Sequence, residues 1–309
     1  FGDHRDLHLL ILRQRNMFII ERENSYIDLH THTTKSDGVY TPEQLCAKAE
    51  QAQIGVLAIT DHNYTEDIDG LQARHPAIRL IQGAEISCLY TTSQKAEVEI
   101  HVVALGFDRR DPRIQEVLFH NKPDRAPYIN AILDRLRLCG IDLGSYEDLR
   151  RLYPDKRHIG RMVIAGMLKE RHYVETVDQA FDVYIGQYGQ RKAFVPNPLR
   201  YVSMEEAVGA ILAAGGAAVL AHLYYYRLDE TENERLLKQF KELAGSRGAM
   251  EVLYRQYDDN QRQTLKQLAD RYDLMYSAAS DYHGQSEQDS LLNHFPQDSC
   301  TRLLECLGL

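Results

Sequence analysis

The chain has 309 residues, of which 44% are hydrophobic and 26% are charged, and its formal net charge is -9. This composition is typical of a folded globular protein, and the acidic balance argues against a broad basic surface for duplex nucleic acid. The sequence has no run of about 18 apolar residues, so we expect no membrane span. The five cysteines are odd in number and lack C-x-x-C spacing, which argues against a disulfide framework or a zinc–thiolate site. We therefore expect a reduced, cytoplasmic protein.

The first predicted element is a strand with the sequence YIDLHTH at residues 26–32. Side chains two positions apart on a strand point to the same face, so Asp28, His30 and His32 share a face. Two imidazoles and a carboxylate inside a protein cost several kcal/mol unless they are paired or bound to a cation. The pattern therefore has two interpretations: ligands of a metal ion, or histidines that are hydrogen-bonded within a polar core.

Helices and strands alternate after this strand. Thr41 and Pro42 predict a helix start, because threonine caps helices and proline suits the first helical position. The predicted strands GVLAITDHN, IRLIQGAEIS and EVEIHVVALGF follow. From about residue 109 to 195 the segments are charged and helical with no obvious strand, and then strands resume with AAVLAH, AMEVLY and LMYSAASDYHG. Six or seven strand–helix units predict an α/β protein whose parallel sheet closes as a barrel.

This organisation predicts three parts of the chain. Residues 1–25 form an N-terminal extension, whose apolar stretch is interrupted by arginines and lacks the cleavage site of a secretory signal. The barrel domain comprises residues 26–108 and 196–309. A helical lid subdomain is inserted between them at residues 109–195.

Histidines and acidic residues stand at or near the carboxyl ends of the predicted strands. These ends face one mouth in an α/β barrel, where barrel active sites are built. We therefore expect these side chains to converge, although any one of them alone is as well explained by a hydrogen-bonded core position. They are His30, His32, Asp37, Asp61, His62, Glu85, His101, His222, Glu251, Asp281 and His283.

Imidazole and carboxylate ligands without thiolate suit manganese, iron or zinc. Nine of these eleven side chains, all except Asp61 and Glu251, are counted as ligands. Nine are too many for one ion that takes about four to six, whereas two or three ions that share a bridging carboxylate would use them. Clustered divalent cations hold a phosphoryl group and lower the pKa of the attacking water. Hydrolysis of a phosphate ester is therefore the leading chemistry.

Several motifs resemble those of the PHP (polymerase and histidinol phosphatase) family of metal-dependent phosphoesterases. They are DLHTHTTKSDG, ITDHN, GAEIS, EIHVVALG, LAH and ASDYHG, and the resemblance extends from about residue 26 to residue 284. It implies a distorted seven-stranded β/α barrel of the TIM type with a trinuclear metal centre.

The resemblance also implies a role for each matching position. One ion would be held by His30, His32, Glu85 and Asp281, a second by Glu85, His101 and His222, and a third by Asp37, His62 and His283. Asp28 and Asp61 would orient imidazoles, the alternative for each being a loop or capping hydrogen bond. Glu251 is expected to be a polar wall of the pocket and not a ligand.

The inserted segment resembles the helical lid of one subgroup, which helps to bind a nucleotide or the 5′ end of an oligonucleotide. Arg161 corresponds to the phosphate-binding arginine of that lid, and its planar guanidinium suits a phosphate. The chain departs from the subgroup pattern at Val163, Gly166 and Leu223. Further candidates for substrate contact, for which a solvated helix end or simple packing is the alternative, are His158, Arg157 and Tyr224.

Our leading hypothesis is a metal-dependent hydrolase that cleaves a phosphate monoester of a small or nucleotide-like substrate. Arg161 would position the phosphate, and His222 or Asp281 would move a proton. One alternative is a 5′-3′ exonuclease that acts on short oligonucleotides with the same metals. Another is a metal-binding scaffold module whose chemistry has been lost.

Overall fold

The computed structural model describes residues 26–121, 125–154, 159–196, 200–284 and 292–309. The strands in these ranges are β1 (Tyr26–Asp28), β2 (Ile54–Ile59), β3 (Arg79–Thr91), β4 (Glu97–Leu105), β5 (Ala217–Leu220), β6 (Gly248–Tyr254), β7 (Met275–Ala279) and β8 (Phe295–Pro296). The α-helices are α1 (Pro42–Gln51), α2 (Ile68–Arg74), α3 (Pro112–His120), α4 (Ala126–Leu138), α5 (Tyr146–Leu152), α6 (Arg161–Glu170), α7 (Val177–Ala180), α8 (Met204–Ala213), α9 (Glu230–Ala244), α10 (Asp259–Arg271) and α11 (Thr301–Cys306). None of these helices is long and apolar enough to cross a membrane.

Helix α1 begins where the sequence predicts. The Thr41 side chain accepts a hydrogen bond from the Gln44 backbone N–H, and the Gln44 side chain binds back to the Thr41 N–H. Pro42 occupies the first turn, where its missing N–H leaves no bond unmade. Ser203 and Glu206 form the same reciprocal cap at the start of α8. These caps fix the directions in which the chain leaves β1 and enters β5.

All eight strands belong to one sheet with the order β7-β6-β5-β4-β3-β2-β1-β8. The prediction of a mixed α/β barrel is confirmed, but the prediction of a parallel sheet is wrong at β4. This strand is antiparallel to both of its neighbours, β3 and β5. A parallel crossover needs about a dozen residues, and only residues 92–96 separate β3 from β4, so the two strands form a hairpin.

The barrel closes through the segments that follow β1 and β7. Leu29 N–H donates to the Ala278 carbonyl at 2.9 Å, and Asp281 N–H donates to the His30 carbonyl at 3.0 Å. Thr31 forms a further bridge with Tyr282. Because these bonds continue past the ends of the regular strands, they bring the histidines after β1 beside the acid and histidine after β7.

The buried apolar residues form separate clusters. The largest lies between the sheet and the helices packed on it, and includes α3, which packs against α8. A second, here called the insertion core, is built only from residues between Tyr128 and Ala193. The helices of residues 126–193 therefore pack chiefly on one another, whereas α3 belongs to the barrel.

Candidate metal centre

Four donor atoms converge where the segments after β1 and β7 meet β3. His30 Nε2 lies 3.0 Å from His32 Nε2, and the two nitrogens lie 3.5 and 3.1 Å from Asp281 Oδ1. Glu85 Oε2 is 3.4 Å from His30 Nε2 and 3.3 Å from His32 Nε2. His30, His32 and Glu85 are each no more than 1% exposed. Two imidazole nitrogens and two carboxylate oxygens therefore surround one point inside the barrel mouth.

The spacing of these donors fits a divalent cation. Donors at about 2.1 Å from an ion are about 3.4 Å apart in tetrahedral geometry and about 3.0 Å apart in octahedral geometry. The five separations given above range from 3.0 to 3.5 Å. The donor chemistry agrees, because none of the five cysteines, all of which the structure describes, belongs to the candidate ligand groups.

Glu85 connects this group to the other predicted ligands. Its Oε1 atom lies 2.7 Å from His101 Nδ1 and 3.0 Å from His222 Nε2. Its Oε2 atom lies 2.8 Å from His62 Nδ1. One carboxylate thus contacts imidazoles from both sides, which is the arrangement expected of a group that bridges two cations.

A further group forms around Asp37 in the loop after β1. Asp37 Oδ1 lies 3.3 Å from His283 Nε2 and 3.8 Å from His32 Nδ1, and Asp37 Oδ2 lies 3.5 Å from His62 Nε2. All nine predicted ligands therefore lie in one continuous cluster. His101 reaches it differently from the prediction: β4 is antiparallel, so the amino-terminal half of the strand, and not its carboxyl end, points to the barrel mouth.

Two of these residues have an unusual backbone conformation. His222 has φ +26° and Asp281 has φ +54°, in the left-handed region that side chains with a Cβ rarely adopt. His222 stands two residues after the end of β5 and Asp281 two residues after the end of β7, where each turns its side chain into the mouth. A strained backbone conformation of this kind persists only where the surrounding structure holds it in place, and it is found most often at functional sites.

The cluster is strongly coupled electrostatically. Burial raises the pKa of Glu85, but His101, His62 and His30 together lower it well below its usual range. Burial lowers the pKa of His101, and the carboxylates of Glu85 and Glu99 reverse this and raise it to about 10. For His32, burial and the neighbouring His283 and His62 lower the pKa to about 3. The carboxylates are therefore ionised and His32 is neutral, as cation binding requires, whereas His101 would release a proton when a cation binds.

The carboxylate that orients imidazoles is Glu251, which the sequence interpretation treated only as a polar wall. His30 Nδ1 donates to Glu251 Oε1 at 2.6 Å, which leaves the His30 Nε2 lone pair directed at the cluster. Glu251 Oε2 accepts the His222 backbone N–H at 2.6 Å. One buried side chain on β6 thus sets the position of two predicted ligands.

Asp28 and Asp61 do not orient imidazoles, contrary to the prediction. Asp28 accepts backbone N–H groups from Ser280 and Asn293 at 3.0 and 2.9 Å. Asp61 accepts the Thr33 N–H at 2.8 Å and the Thr33 and Ser36 hydroxyls. Both aspartates instead hold the loops that carry ligands, because backbone and hydroxyl donors lie nearer to them than any ring N–H.

Gly38 allows the loop with Asp37 to fold tightly. A Cβ atom at this position would lie 2.5 Å from the His32 carbonyl oxygen and 2.8 Å from Thr33 N. We expect Gly38→Ala to force the loop outward, displace Asp37 and destabilise the fold by about 1–3 kcal/mol. Thermal unfolding and metal content measured on the same sample test this. Gly209→Ala, where no atom lies within 4 Å of the added Cβ, is the matched control, and equal behaviour of the two variants would contradict the expectation.

The cluster opens into a cavity of about 620 Å³ between the barrel mouth and the insertion. Arg161 lines it together with Arg125 and Arg227, neither of which the sequence interpretation named. Tyr224 does not line it: its ring packs against Tyr257, and the neighbouring half-exposed Tyr225 lines the cavity instead. The chain forms a short helix directly after His222, so the alternation of side chains along a strand does not predict which tyrosine faces the cavity.

The remaining predicted substrate contacts, Arg157 and His158, lie outside the described residues. Val163, one of the departures from the subgroup pattern, is buried in the insertion core. Neither Val163 nor Gly166 is among the residues that line the cavity.

Residues 28–272 match the PHP domain. This chain belongs to the PHP domain family. Among its PHP relatives, the 5′-3′ exoribonuclease Rnm of Escherichia coli (strain K12) is 34% identical over 260 residues, covering 83% of this chain and 84% of that protein. The 3′,5′-nucleoside bisphosphate phosphatase of Chromobacterium violaceum is 28% identical over 270 residues, covering 87% and 90%.

Solved structures are similar to this PHP protein throughout the fold. An amidohydrolase from Chromobacterium violaceum with bound sulfate aligns with a TM-score of 0.77 and 26% identity, covering 92% of this chain and 96% of that one. A putative metal-dependent phosphoesterase from Bifidobacterium adolescentis aligns with a TM-score of 0.73 and 26% identity, covering 92% and 97%. Together with the relatives and the histidine–aspartate cluster, these similarities show that the protein is a metal-dependent phosphoesterase that uses divalent metal and acts on a phosphorylated substrate.

Proposed function

We propose that this phosphoesterase hydrolyses a phosphate monoester of a nucleotide-like substrate that carries a second phosphate, with three divalent ions of manganese, iron or zinc. The observation that carries this proposal is that seven residues of the nine-residue cluster line one cavity together with three arginines, Arg125, Arg161 and Arg227. We assign the ion sets that the family resemblance implies: His30, His32, Glu85 and Asp281 for the first, Glu85, His101 and His222 for the second, and Asp37, His62 and His283 for the third. The short contacts around Glu85 and Asp37 support this assignment.

Arg161 supports the assignment of a second phosphate. It is the first residue of α6, where Gly160 offers no capping side chain, so the amino end of a ten-residue helix adds its partial positive charge. Glu99 lies beside the cluster, since its Oε1 is 3.4 Å from His101 Nε2, and its carboxylate also interacts electrostatically with Arg161. Burial raises the pKa of Glu99, but His101, Arg161 and Arg125 lower it to about 2. Arg161 is outside the candidate ligand groups but lines the same cavity, so it suits a phosphate that is not hydrolysed.

The remaining groups have simple roles in this proposal. Bound divalent ions supply positive charge for the phosphoryl oxygens and acidify water. Glu251 fixes His30 and His222, Arg161 and Arg125 hold the substrate, and Tyr225 and Phe181 provide aromatic surfaces in the cavity. Asp281, whose Oδ2 accepts the Tyr254 hydroxyl at 2.9 Å, and His222 are the groups that we assign to proton movement.

A second candidate function is 5′-3′ exoribonuclease action on short RNA, which the 34% identity to Rnm favours. Both functions use the same cluster, and they differ in the bond that is cleaved. Purified protein with added Mn²⁺ should release inorganic phosphate from adenosine 3′,5′-bisphosphate under the first proposal, and nucleoside 5′-monophosphates from a 5′-phosphorylated oligoribonucleotide under the second. Absence of turnover on both, and on p-nitrophenyl phosphate, would contradict the proposed function.

Arg161→Ala should weaken the use of adenosine 3′,5′-bisphosphate selectively. A charge-assisted hydrogen bond contributes about 1.5–3 kcal/mol, so we expect roughly a 10- to 100-fold fall in kcat/KM. Hydrolysis of p-nitrophenyl phosphate, which has no second phosphate, should change little. Arg151→Ala, at an exposed arginine of the same insertion, is the control. An equal loss on both substrates would count against a second-phosphate site at Arg161.

A further inference from the structure

A buried polar network lies beside the metal cluster and contains none of the predicted ligands. Asn121 Nδ2 donates to Asn63 Oδ1 at 2.8 Å and to the Ser87 carbonyl at 2.7 Å. Asn121 Oδ1 accepts the Val202 N–H at 3.2 Å. Asn63 and Ser87 complete the network, since Asn63 Oδ1 accepts the Ser87 N–H at 3.1 Å and Asn63 Nδ2 donates to the Ser87 hydroxyl at 3.2 Å. Asn121 is 1% exposed, so each of these bonds replaces one that water would otherwise make.

The network joins the two points between which the chain departs from the barrel. Asn121 directly follows α3, which packs in the barrel core, and Val202 stands two residues before α8. Between them lie all the residues of the insertion core, from Tyr128 to Ala193. The Val202 carbonyl also accepts the Leu89 N–H at 2.8 Å, which attaches the returning chain to β3. Asn121 thus stands at one end of the insertion's attachment, and its side chain bonds to Val202 at the other end.

The same network contacts the immediate neighbours of two proposed ligands. Asn63 follows His62, has φ +48°, and its N–H donates to the Glu85 carbonyl at 2.7 Å. Ser87 is two residues after Glu85 on β3, so both side chains point to the barrel mouth. Asn121 therefore links the insertion, which carries Arg161, to the loop and strand that carry His62 and Glu85.

We propose that Asn121 is a positioning residue that sets the insertion arginines at a fixed place relative to the metal cluster. Asn121 touches neither substrate nor ions, and its effect passes through Asn63 and Val202. This inference rests on the proposed function, because it concerns substrates that reach both the cluster and Arg161. The substrate class affected is phosphoesters with a second anionic group, and simple aryl phosphates are unaffected.

Asn121→Ala and Asn121→Asp test this inference. Alanine removes all three hydrogen bonds of the side chain, and aspartate places an acceptor against the Asn63 and Ser87 oxygens. We expect KM for adenosine 3′,5′-bisphosphate to rise about tenfold, because buried hydrogen bonds are lost in each variant. The kcat/KM for p-nitrophenyl phosphate and the amount of bound manganese should stay within about twofold of wild type.

The control for simple destabilisation is Leu118→Ala, which removes buried apolar surface from α3 without touching the network. It should lower the midpoint of thermal unfolding and leave the ratio of the kcat/KM values for adenosine 3′,5′-bisphosphate and p-nitrophenyl phosphate unchanged. Amide hydrogen exchange gives a readout independent of activity: exchange in α6 should accelerate in Asn121→Ala relative to β3 and β5. In an Arg161→Ala background, Asn121→Ala should add little to the KM effect, since both changes act through the same contact.

The inference is overturned if Asn121→Ala lowers kcat/KM for adenosine 3′,5′-bisphosphate and for p-nitrophenyl phosphate by the same factor, as Leu118→Ala would. It is also overturned if Asn121→Ala changes neither KM for the bisphosphate nor amide exchange in α6. Failure of the proposed function gives a different result, because the wild-type protein with Mn²⁺ would then leave both phosphoesters intact. In that case the exchange measurement still decides whether Asn121 fixes the insertion to the barrel.

Discussion

Glu85→Gln should abolish phosphoesterase activity while leaving the protein folded. The carboxylate contacts five imidazoles through its two oxygens, at separations of 2.7–3.4 Å. A glutamine amide has one oxygen and no charge, so it fails to bridge two cations. Losing several kcal/mol of charge stabilisation corresponds to a fall in kcat of roughly 10³-fold or more. Metal content by elemental analysis should fall in the same sample.

Glu232→Gln is the matched control for this variant. Glu232 is also a buried glutamate, but it binds the Tyr90 hydroxyl and the Ser93 hydroxyl at 2.5 and 2.6 Å, away from the cavity. Its replacement should lower the stability of the fold, since charged hydrogen bonds contribute about 1.5–3 kcal/mol to folding. Because Glu232 lies away from the cavity, kcat should stay within about threefold of wild type. If Glu85→Gln retained a tenth of wild-type activity at saturating Mn²⁺, the bridging role would be wrong.

Glu251→Gln should weaken metal affinity and not remove the chemistry. Glutamine retains one oxygen, so it keeps either the His30 ring N–H or the His222 backbone N–H as a partner, but not both. Partners that orient metal-binding histidines contribute about 10- to 100-fold to affinity. Activity should therefore fall at low Mn²⁺ and recover as Mn²⁺ is raised, in contrast to Glu85→Gln.

A manganese titration of activity distinguishes the two variants directly. The expected signature of Glu251→Gln is a higher half-saturating Mn²⁺ concentration with a maximal rate near that of wild type. A variant with wild-type half-saturation would show that Glu251 has no part in positioning His30. A variant that stays inactive at every Mn²⁺ concentration would place Glu251 in the chemistry itself.

Much of the site could be predicted because ligand residues follow the periodicity of strands. His30 and His32 alternate in the extended segment that continues β1, and His62, His222 and Asp281 each come within three residues of the end of a buried strand. These patterns depend on local backbone geometry, which the sequence determines strongly. The barrel followed from the alternation of strands and helices and the family from the resemblance of its motifs, and both are confirmed.

The contacts that depend on tertiary packing could not be predicted in this way. The sequence around Glu251 would look the same whether its side chain faced water, a cation or a histidine ring. Its contact with the His30 ring exists only because the segment after β1 lies beside β6 in the folded barrel. Arg125 lies before α4 and reaches the cavity only because the insertion folds over the mouth. The direction of β4 was readable, since a loop of five residues is too short for a crossover helix.

The hairpin of β3 and β4 has a consequence for how sequences of this kind can diverge in length. Glu85 and His101 both lie in the paired part of the hairpin, where Glu85 is opposite Val103 and His101 is opposite Ser87. A single residue inserted within the paired segments would rotate one of these side chains to the opposite face of the sheet. Residues gained or lost in the turn at 92–96 would leave both in place, so natural length variation on this side of the barrel should be confined to that turn.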